Sequence, residues 1–291
     1  MRHRIDIRGL LVLLASCVVL AACWVAPPLE HGQRFDARKY FQGQALALAL
    51  AVDRKDADAV RRLIHDEGVD PDVIFDDHAM PLVAWPILNE NPEGLRLLLE
   101  NGADPNARRI NLKRPSHSAD NALVYAAGLE DQVYLNLLLD HAGDPNTLNA
   151  NNEALTYVAR LRGLWSNVQL LIERGADVNY ALHGNKADPV MAWYARLGDF
   201  EEVYWLLQHG GDPAVKTIPP PEYTGSENLE GWPILEAIYY LPVKPRAEEW
   251  QRKCQVWLRE HDITRPPMPE FLRKRRAAFG LPTDEKDIPL P

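Results

Sequence analysis

Histidines and clustered acids are the residues of this chain whose types suit catalysis or metal binding. Three of the nine histidines, His141, His209 and His261, occupy the same place in similar segments, just before a predicted helix end. Repetition explains them as surface or capping side chains. Asp76-Asp77-His78 is a polar turn, and a metal site there needs further ligands at fixed spacing. Phosphate-binding glycine loops, nucleophile elbows and paired-cysteine motifs do not occur. The sequence therefore predicts neither an enzyme nor a cofactor.

Cysteine usage gives a second kind of candidate chemistry. The chain has three cysteines, and Cys17 lies in an apolar run expected to be removed. Cys254 shares an apolar helical face with Trp257 and Leu258, which favours a buried small side chain over a reactive thiol. Cys23 is a candidate for modification, and its modification would leave no internal disulfide.

The aromatic and basic side chains of this chain are suited to binding another protein. Large rigid rings bury much surface at low entropic cost, and basic side chains suit an acidic partner. The aromatic candidates lie in successive predicted helices: Trp85, Tyr125, Tyr157 and Trp193. The alternative is that these rings fill the core.

Two longer segments carry the remaining candidates for a binding surface. Segment 107–120 is basic in a chain whose formal net charge is −9, and it supplies Arg108, Arg109, Lys113 and Arg114. Segment 214–230 contains three successive prolines and then Tyr223, a rigid aromatic contact. The alternatives are a solvated loop for the first and a connecting loop for the second.

A recurring triplet of apolar residues predicts the helices that position these candidates. Leu95, Leu98 and Leu99 form one stripe of a short helix, and Gly102 supplies the residue that ends it. A small-residue break and an aspartate follow each triplet. These aspartates, at positions 70, 104, 144, 177 and 212, are 34, 40, 33 and 35 residues apart. The period predicts stacked helical pairs that complete one another's core.

At the turns the chain resembles the ankyrin-repeat family, through the phrases GADPN at 102–106, AGDPN at 142–146, GADVN at 175–179 and GGDPA at 210–214. The first-helix half of the family pattern is eroded and lacks its histidine. The resemblance implies an all-α ankyrin-repeat solenoid of about five to six helix-turn-helix units. We place the repeats near 44–74, 80–109, 121–149, 153–182 and 188–216, with a degenerate cap at 231–262. In this family, first helices and hairpin fingers line the binding groove.

The N-terminus resembles a bacterial lipoprotein signal. Basic residues precede an apolar run at 10–22, which is too short to span a bilayer. The run closes on Leu20-Ala21-Ala22-Cys23, which resembles the lipoprotein cleavage box. This implies an acylated Cys23 on the periplasmic side of a Gram-negative envelope, with the outer membrane preferred because Trp24 follows. An ordinary signal peptide is the alternative. Residues 1–22 are then the signal, and residues 23–43 a tether.

The C-terminal residues 263–291 are predicted to be a proline-rich, basic tail. Its basic cluster at 273–276 is expected to be solvated or to face an acidic partner. Because the chain as a whole is acidic, we expect no nucleic-acid partner.

Three functions are compatible with this sequence. The first is a lipid-anchored immunity protein that neutralises a periplasm-acting effector such as a secreted lipase, because the chain resembles ankyrin-type lipoproteins paired with phospholipase effectors. The second is a scaffold or assembly factor for an envelope complex. The third is an enzyme with an unrecognised site. For the first two we expect a monomer when free and a protein partner.

Overall fold

The computed structural model describes residues 35–75, 80–109, 120–181, 189–216, 231–288 and 290. In these residues the chain forms pairs of short α-helices that follow one another in sequence order. The first helices of the pairs are α1 (Gly43–Asp53), α3 (Trp85–Leu88), α5 (Ala122–Ala127), α7 (Leu155–Leu161), α9 (Val190–Leu197) and α11 (Pro233–Tyr240). The second helices are α2 (Ala57–Arg61), α4 (Pro92–Glu100), α6 (Val133–Asp140), α8 (Trp165–Glu173), α10 (Phe200–Gln208) and α12 (Pro245–Glu260).

The first two pairs contain the irregular elements. A π-helical turn, Arg62–Asp66, continues α2, and a 3-10 turn, Leu82–Ala84, leads into α3. Between these pairs the short strands β1 (Ile74–Phe75) and β2 (Met80–Pro81) lie antiparallel.

The apolar triplets of the second helices face the core, as their spacing predicts. The first two triplet positions are buried in five successive pairs: Val60 and Leu63, Leu95 and Leu98, Leu135 and Leu138, Val168 and Leu171, and Val203 and Leu206. The third position is half-buried at Ile64, Leu139 and Ile172. Leu99 and Leu207 are buried at this position, so one edge of the stripe faces solvent only in the first, third and fourth pairs.

Side chains of the turns join each pair to the next. Asn106 donates from Nδ2 to the Ala142 carbonyl at 3.0 Å and accepts the Asp144 amide at 2.7 Å. Equivalent amide bridges follow at Asn146 and Asn179. The aspartate two residues earlier accepts the asparagine's own N–H, which fixes the turn. The recurring Asp-x-Asn thus shapes one turn and connects it to the next.

The second helices from α4 onward end in one hydrogen-bond pattern. Gly102 has φ of 98°, and the next amide donates to the Leu98 carbonyl at 3.0 Å. This left-handed ending is typical of glycine. After α12, Asp262 takes that place with φ of 56°, and the next amide donates to the Leu258 carbonyl at 2.9 Å. Residues 231–262 therefore contain a sixth helical pair that ends like the others.

The expectation of a tether at 23–43 is wrong from Phe35 onward, because the chain is folded there, and residues 23–34 lie outside the described part of the chain. A 3-10 turn, Ala37–Lys39, follows, and Phe41 is buried. The Phe35 amide donates to Asn89 at 2.8 Å. Aromatic residues drive this packing, since they remove large apolar areas from water.

The C-terminal residues form a packed cap instead of a tail. Helix α13 (Glu270–Ala278) buries Leu272, and a 3-10 turn, Glu285–Asp287, follows. Arg276 is only 8% exposed, and it donates to the carbonyls of Tyr240 and Pro282 at 3.1 and 2.7 Å. The expectation that this arginine is solvated is wrong, because it donates to one carbonyl at the end of α11 and to another just after α13.

Stacked helical pairs with these turns are the architecture of an ankyrin-repeat solenoid, which confirms the predicted fold class. Within the described ranges, no helix has the length and apolar character required to cross a bilayer.

Candidate protein-binding surface

Trp85 belongs to the core of the first two pairs. Its side chain is 0% exposed, and its ring centroid lies 5.1 to 5.6 Å from those of Tyr40, Phe41 and Phe75. Its Nε1–H donates to Asp53 at 2.9 Å. The prediction that a partner contacts this ring is therefore wrong, because neighbouring aromatic residues already cover it.

Arg108 connects two inter-repeat segments. Its guanidinium donates to the Leu148 carbonyl at 2.8 Å. Asp120 accepts the Ala150 amide at 2.8 Å, and burial raises the pKa of its carboxyl, while that hydrogen bond and the charge of Arg108 oppose the rise. Arg108 therefore has an internal structural role, and its role in partner binding stays a prediction. Arg109 is exposed, and its role in binding stays a prediction.

Several predicted residues lie outside the described part of the chain. They are Cys23, Lys113, Arg114 and Tyr223, together with the polar turn at 76–78. Their roles stay predictions.

Two predicted aromatic residues meet on adjacent first helices. The ring centroid of Tyr157 in α7 lies 5.8 Å from that of Trp193 in α9. The guanidinium carbons of Arg160 and Arg196 lie 4.6 and 5.6 Å from the Trp193 centroid, in cation–π range. Tyr125 lies on α5, where its half-buried ring packs against the core. The structure thus brings two of the four aromatic candidates together and adds two arginines.

Exposed leucines extend this cluster. Leu161, the last residue of α7, is 45% exposed, and Leu197, the last residue of α9, is 62% exposed. Apolar side chains exposed beside polar ones are typical of interaction sites. We call Arg160, Leu161, Trp193, Arg196 and Leu197 the basic–aromatic patch.

Acidic side chains interact electrostatically with the arginines of the patch. Burial raises the pKa of Asp199, and the charge of Arg160 opposes the rise. Burial likewise raises the pKa of Glu236, which accepts the Trp232 amide at 2.9 Å and interacts with Arg196. Arg196 nevertheless stays exposed. The patch therefore has acidic side chains of its own chain nearby, and Arg196 still faces solvent.

The histidines cap helices, as the sequence predicts. Nδ1 of His209 lies 2.7 Å from the Trp205 carbonyl, and Nδ1 of His261 lies 2.8 Å from the Trp257 carbonyl. His141 repeats the contact at 2.9 Å with the carbonyl four residues earlier. Since a carbonyl only accepts, each Nδ1 carries the proton. Over the ranges that the structure describes, no group of three or more His, Cys, Asp or Glu side chains is arranged to hold a metal ion.

Cys254 is buried, as its apolar position predicts. Its Sγ donates to the Phe200 carbonyl at 3.5 Å, and burial raises the pKa of the thiol to about 12. The thiolate required for nucleophilic chemistry is therefore disfavoured.

Sequence reasoning missed Arg160, Leu161, Arg196 and Leu197. The sequence did contain a signal for the two leucines. Each lies outside the apolar triplets and within two residues of a glycine, Gly163 or Gly198. These glycines have φ values of 72° and 82°. A leucine beside such a turn is displaced from the helix's buried face.

Comparison with curated proteins identifies relatives of this chain, although no family model matches it. The chain is 32% identical to Protein PhlB of Serratia liquefaciens over 174 residues, which cover 57% of this chain and 69% of PhlB. It is 36% identical over 98 residues to an ankyrin repeat-containing protein of Treponema pallidum, covering 34% of this chain and 30% of that protein. An ankyrin repeat and KH domain-containing protein of Caenorhabditis briggsae is 30% identical over 113 residues, covering 39% of this chain and 4% of its own length.

Solved structures of similar fold are also ankyrin-repeat proteins. EF0377, an ankyrin repeat protein, has a TM-score of 0.48 and 22% identity, covering 60% of this chain and 87% of its own. The ankyrin repeat domain of Bcl-3, a member of the IkappaB protein family, has a TM-score of 0.49 and 24% identity. That match covers 73% of this chain and 85% of the Bcl-3 domain.

Proposed function

Because this chain belongs to the family of Protein PhlB and consists largely of ankyrin repeats, we propose that it binds and neutralises a toxic protein, specifically a phospholipase acting in the periplasm. Ankyrin solenoids present extended surfaces that bind other proteins. An immunity role requires a tight protein interface and no chemistry of its own.

The observation that carries this proposal is the basic–aromatic patch. It combines two arginines, a tryptophan and two exposed leucines on adjacent first helices. Tryptophan and arginine are enriched among residues that dominate binding energy. In a chain of formal charge −9, these cations select an acidic surface on the partner. The proposed partner therefore presents acidic side chains beside an apolar contact.

The proposed location is the periplasmic face of a Gram-negative envelope, preferably at the outer membrane. The support is the sequence at 20–23, where a lipoprotein-like box ends at Cys23. Acyl chains on this cysteine would anchor the protein, since each buried methylene contributes about 0.8 kcal/mol.

The experiment is capture of partners from solubilised envelopes with the affinity-tagged full chain. Mass spectrometry of the bait reports whether it begins at an acylated Cys23. We expect one secreted lipase, retained in stoichiometric amount and inhibited on binding. Recovery of resident envelope machinery instead, without a hydrolase, contradicts the immunity role and assigns the protein to the scaffold class.

Charge reversal tests the surface separately. The double substitution Arg160→Glu and Arg196→Glu is expected to weaken partner binding at least about tenfold, which corresponds to roughly 1.4 kcal/mol. The matched control is Arg61→Glu with Arg252→Glu, which changes the net charge equally at exposed arginines of second helices. Equal weakening by both pairs, measured by calorimetry, would show that overall charge and not the patch governs binding.

A further inference from the structure

Helix α13 carries an exposed stripe that is separate from the basic–aromatic patch. Phe271 is 40% exposed and Phe279 is 66% exposed, and Arg275 and Ala278 between them are exposed too. Phe271, Arg275 and Ala278 are at positions i, i+4 and i+7 of α13 and share one face, and Phe279 follows as the C-cap residue. Leu281, just beyond the helix, is 37% exposed. Phe279 is therefore mostly exposed, and Phe271 partly exposed, at one end of the repeat stack.

The opposite face of α13 fixes this orientation. Leu272 is buried, and Arg276 donates to the carbonyls of Tyr240 and Pro282. Arg273 also donates to the Thr283 carbonyl. Rotating the helix to bury the phenylalanine rings would break these hydrogen bonds. The packing of the C-terminal cap therefore keeps the rings exposed.

We propose that the exposed face of α13 lies on a bilayer that contains anionic lipids. Phenylalanine rings and basic side chains are the combination by which amphipathic helices bind the membrane interface. Lys274 and Arg275 are both exposed beside the rings. Rings that stand out from a terminal helix suit a deformable surface more than the groove of a partner.

Charge also argues against a second copy of this chain as the occupant. A two-fold interface through this face would bring Arg275 close to its own equivalent, and like charges repel. Because the formal net charge of the chain is −9, anionic lipid repels most of the other surfaces of this protein. Attachment through α13 therefore also sets the orientation of the repeats on the membrane.

A local fluorescent probe tests this contact in the full chain. Ala278→Cys is labelled with an environment-sensitive dye after Cys17→Ser and Cys23→Ser, which remove two of the three native thiols and any acyl anchor. Cys254 is buried and does not need replacement. The matched control carries the dye at Ser166→Cys, an exposed position on α8. Vesicles consist of phosphatidylcholine with or without phosphatidylglycerol.

We expect the dye at position 278 to shift to the blue on anionic vesicles only, while the dye at position 166 does not. Phe271→Ala with Phe279→Ala should abolish the shift, and Arg275→Ala should weaken vesicle affinity about fivefold. No shift at 278, an equal shift at 166, or retention of the shift after both phenylalanine substitutions would overturn the proposal. Binding of an acidic protein to this face without any shift on vesicles would overturn it too.

Discussion

Asp72 takes the place in the first repeat that an asparagine takes in the next three. It accepts the Asp104 amide at 3.0 and 3.1 Å, as Asn106 accepts the amide of Asp144. A carboxylate lacks the N–H that each asparagine donates to a carbonyl of the following repeat. Burial raises the pKa of Asp72 to about 6, and the charges of Asp70 and Asp104 contribute to the rise. The first bridge is therefore the weakest at neutral pH.

We expect Asp72→Asn to raise the free energy of unfolding at pH 7 by about 1 kcal/mol, the net value of one hydrogen bond. The folded pKa, about 6, exceeds the ordinary value for an aspartate, 3.8. The native protein therefore loses stability through this group as the pH rises across that window. The substitution should remove this loss, so its benefit should be small below pH 4 and complete above pH 6.

Denaturant unfolding at a series of pH values measures the effect. Asp66→Asn, at an exposed aspartate, is the control and should leave the pH profile unchanged. A benefit of Asp72→Asn that is as large at pH 3.5 as at pH 7 would contradict ionisation as the cause.

At the scale of the element, the inter-repeat turn determines how one helical pair sits on the next. Asn146 donates to the Gly175 carbonyl at 3.1 Å and accepts the Asp177 amide at 2.7 Å. In the fifth repeat Ala214 replaces the asparagine, so this position cannot form a side-chain bridge toward the sixth pair. The stack is therefore joined by turn amides only in its earlier part.

We expect Asn146→Ala to lower the free energy of unfolding by about 1 to 2 kcal/mol, because it removes two hydrogen bonds between repeats. The loss should appear in hydrogen exchange as lower protection at the 142–146 and 175–179 turns. Asn151→Ala, at a nearby exposed asparagine, is the control. Equal destabilisation by both would show that this bridge adds nothing specific.

The helical pairs could be predicted from the sequence because one apolar triplet recurs at a nearly constant period. The internal contacts of individual side chains could not be predicted in this way. From the sequence, Trp85 is expected to line the groove. In the structure, the folded segment that begins at Phe35 places aromatic rings around it. Leu161 and Leu197 read as ordinary helix residues, and only the positions where α7 and α9 end expose them. Periodicity specifies which face is buried, but packing between distant segments decides what covers a given ring.

For the whole molecule, the stack behaves as a one-dimensional array whose ends need closure. Phe35 and Phe41 pack at the first pairs, and α13 closes the sixth. Arg265 strengthens this second closure by donating to the carbonyls of Glu285 and Ile288 at 3.0 Å each. A defect in the C-terminal cap should therefore open the last pair first and leave distant repeats folded.

Arg276→Met tests whether a defect in the cap opens the last pair first. The substitution keeps an apolar stem but removes the donors to the carbonyls of Tyr240 and Pro282. Carbonyls left unpaired in a buried site cost roughly 1 to 3 kcal/mol. We expect faster hydrogen exchange in α11, α12 and α13, with exchange in α4 and α6 unchanged. Arg275→Met, at the exposed neighbour, should have little effect. A uniform loss of protection along all six pairs would instead mean that the stack unfolds as a single cooperative unit, with the cap stabilising every repeat equally.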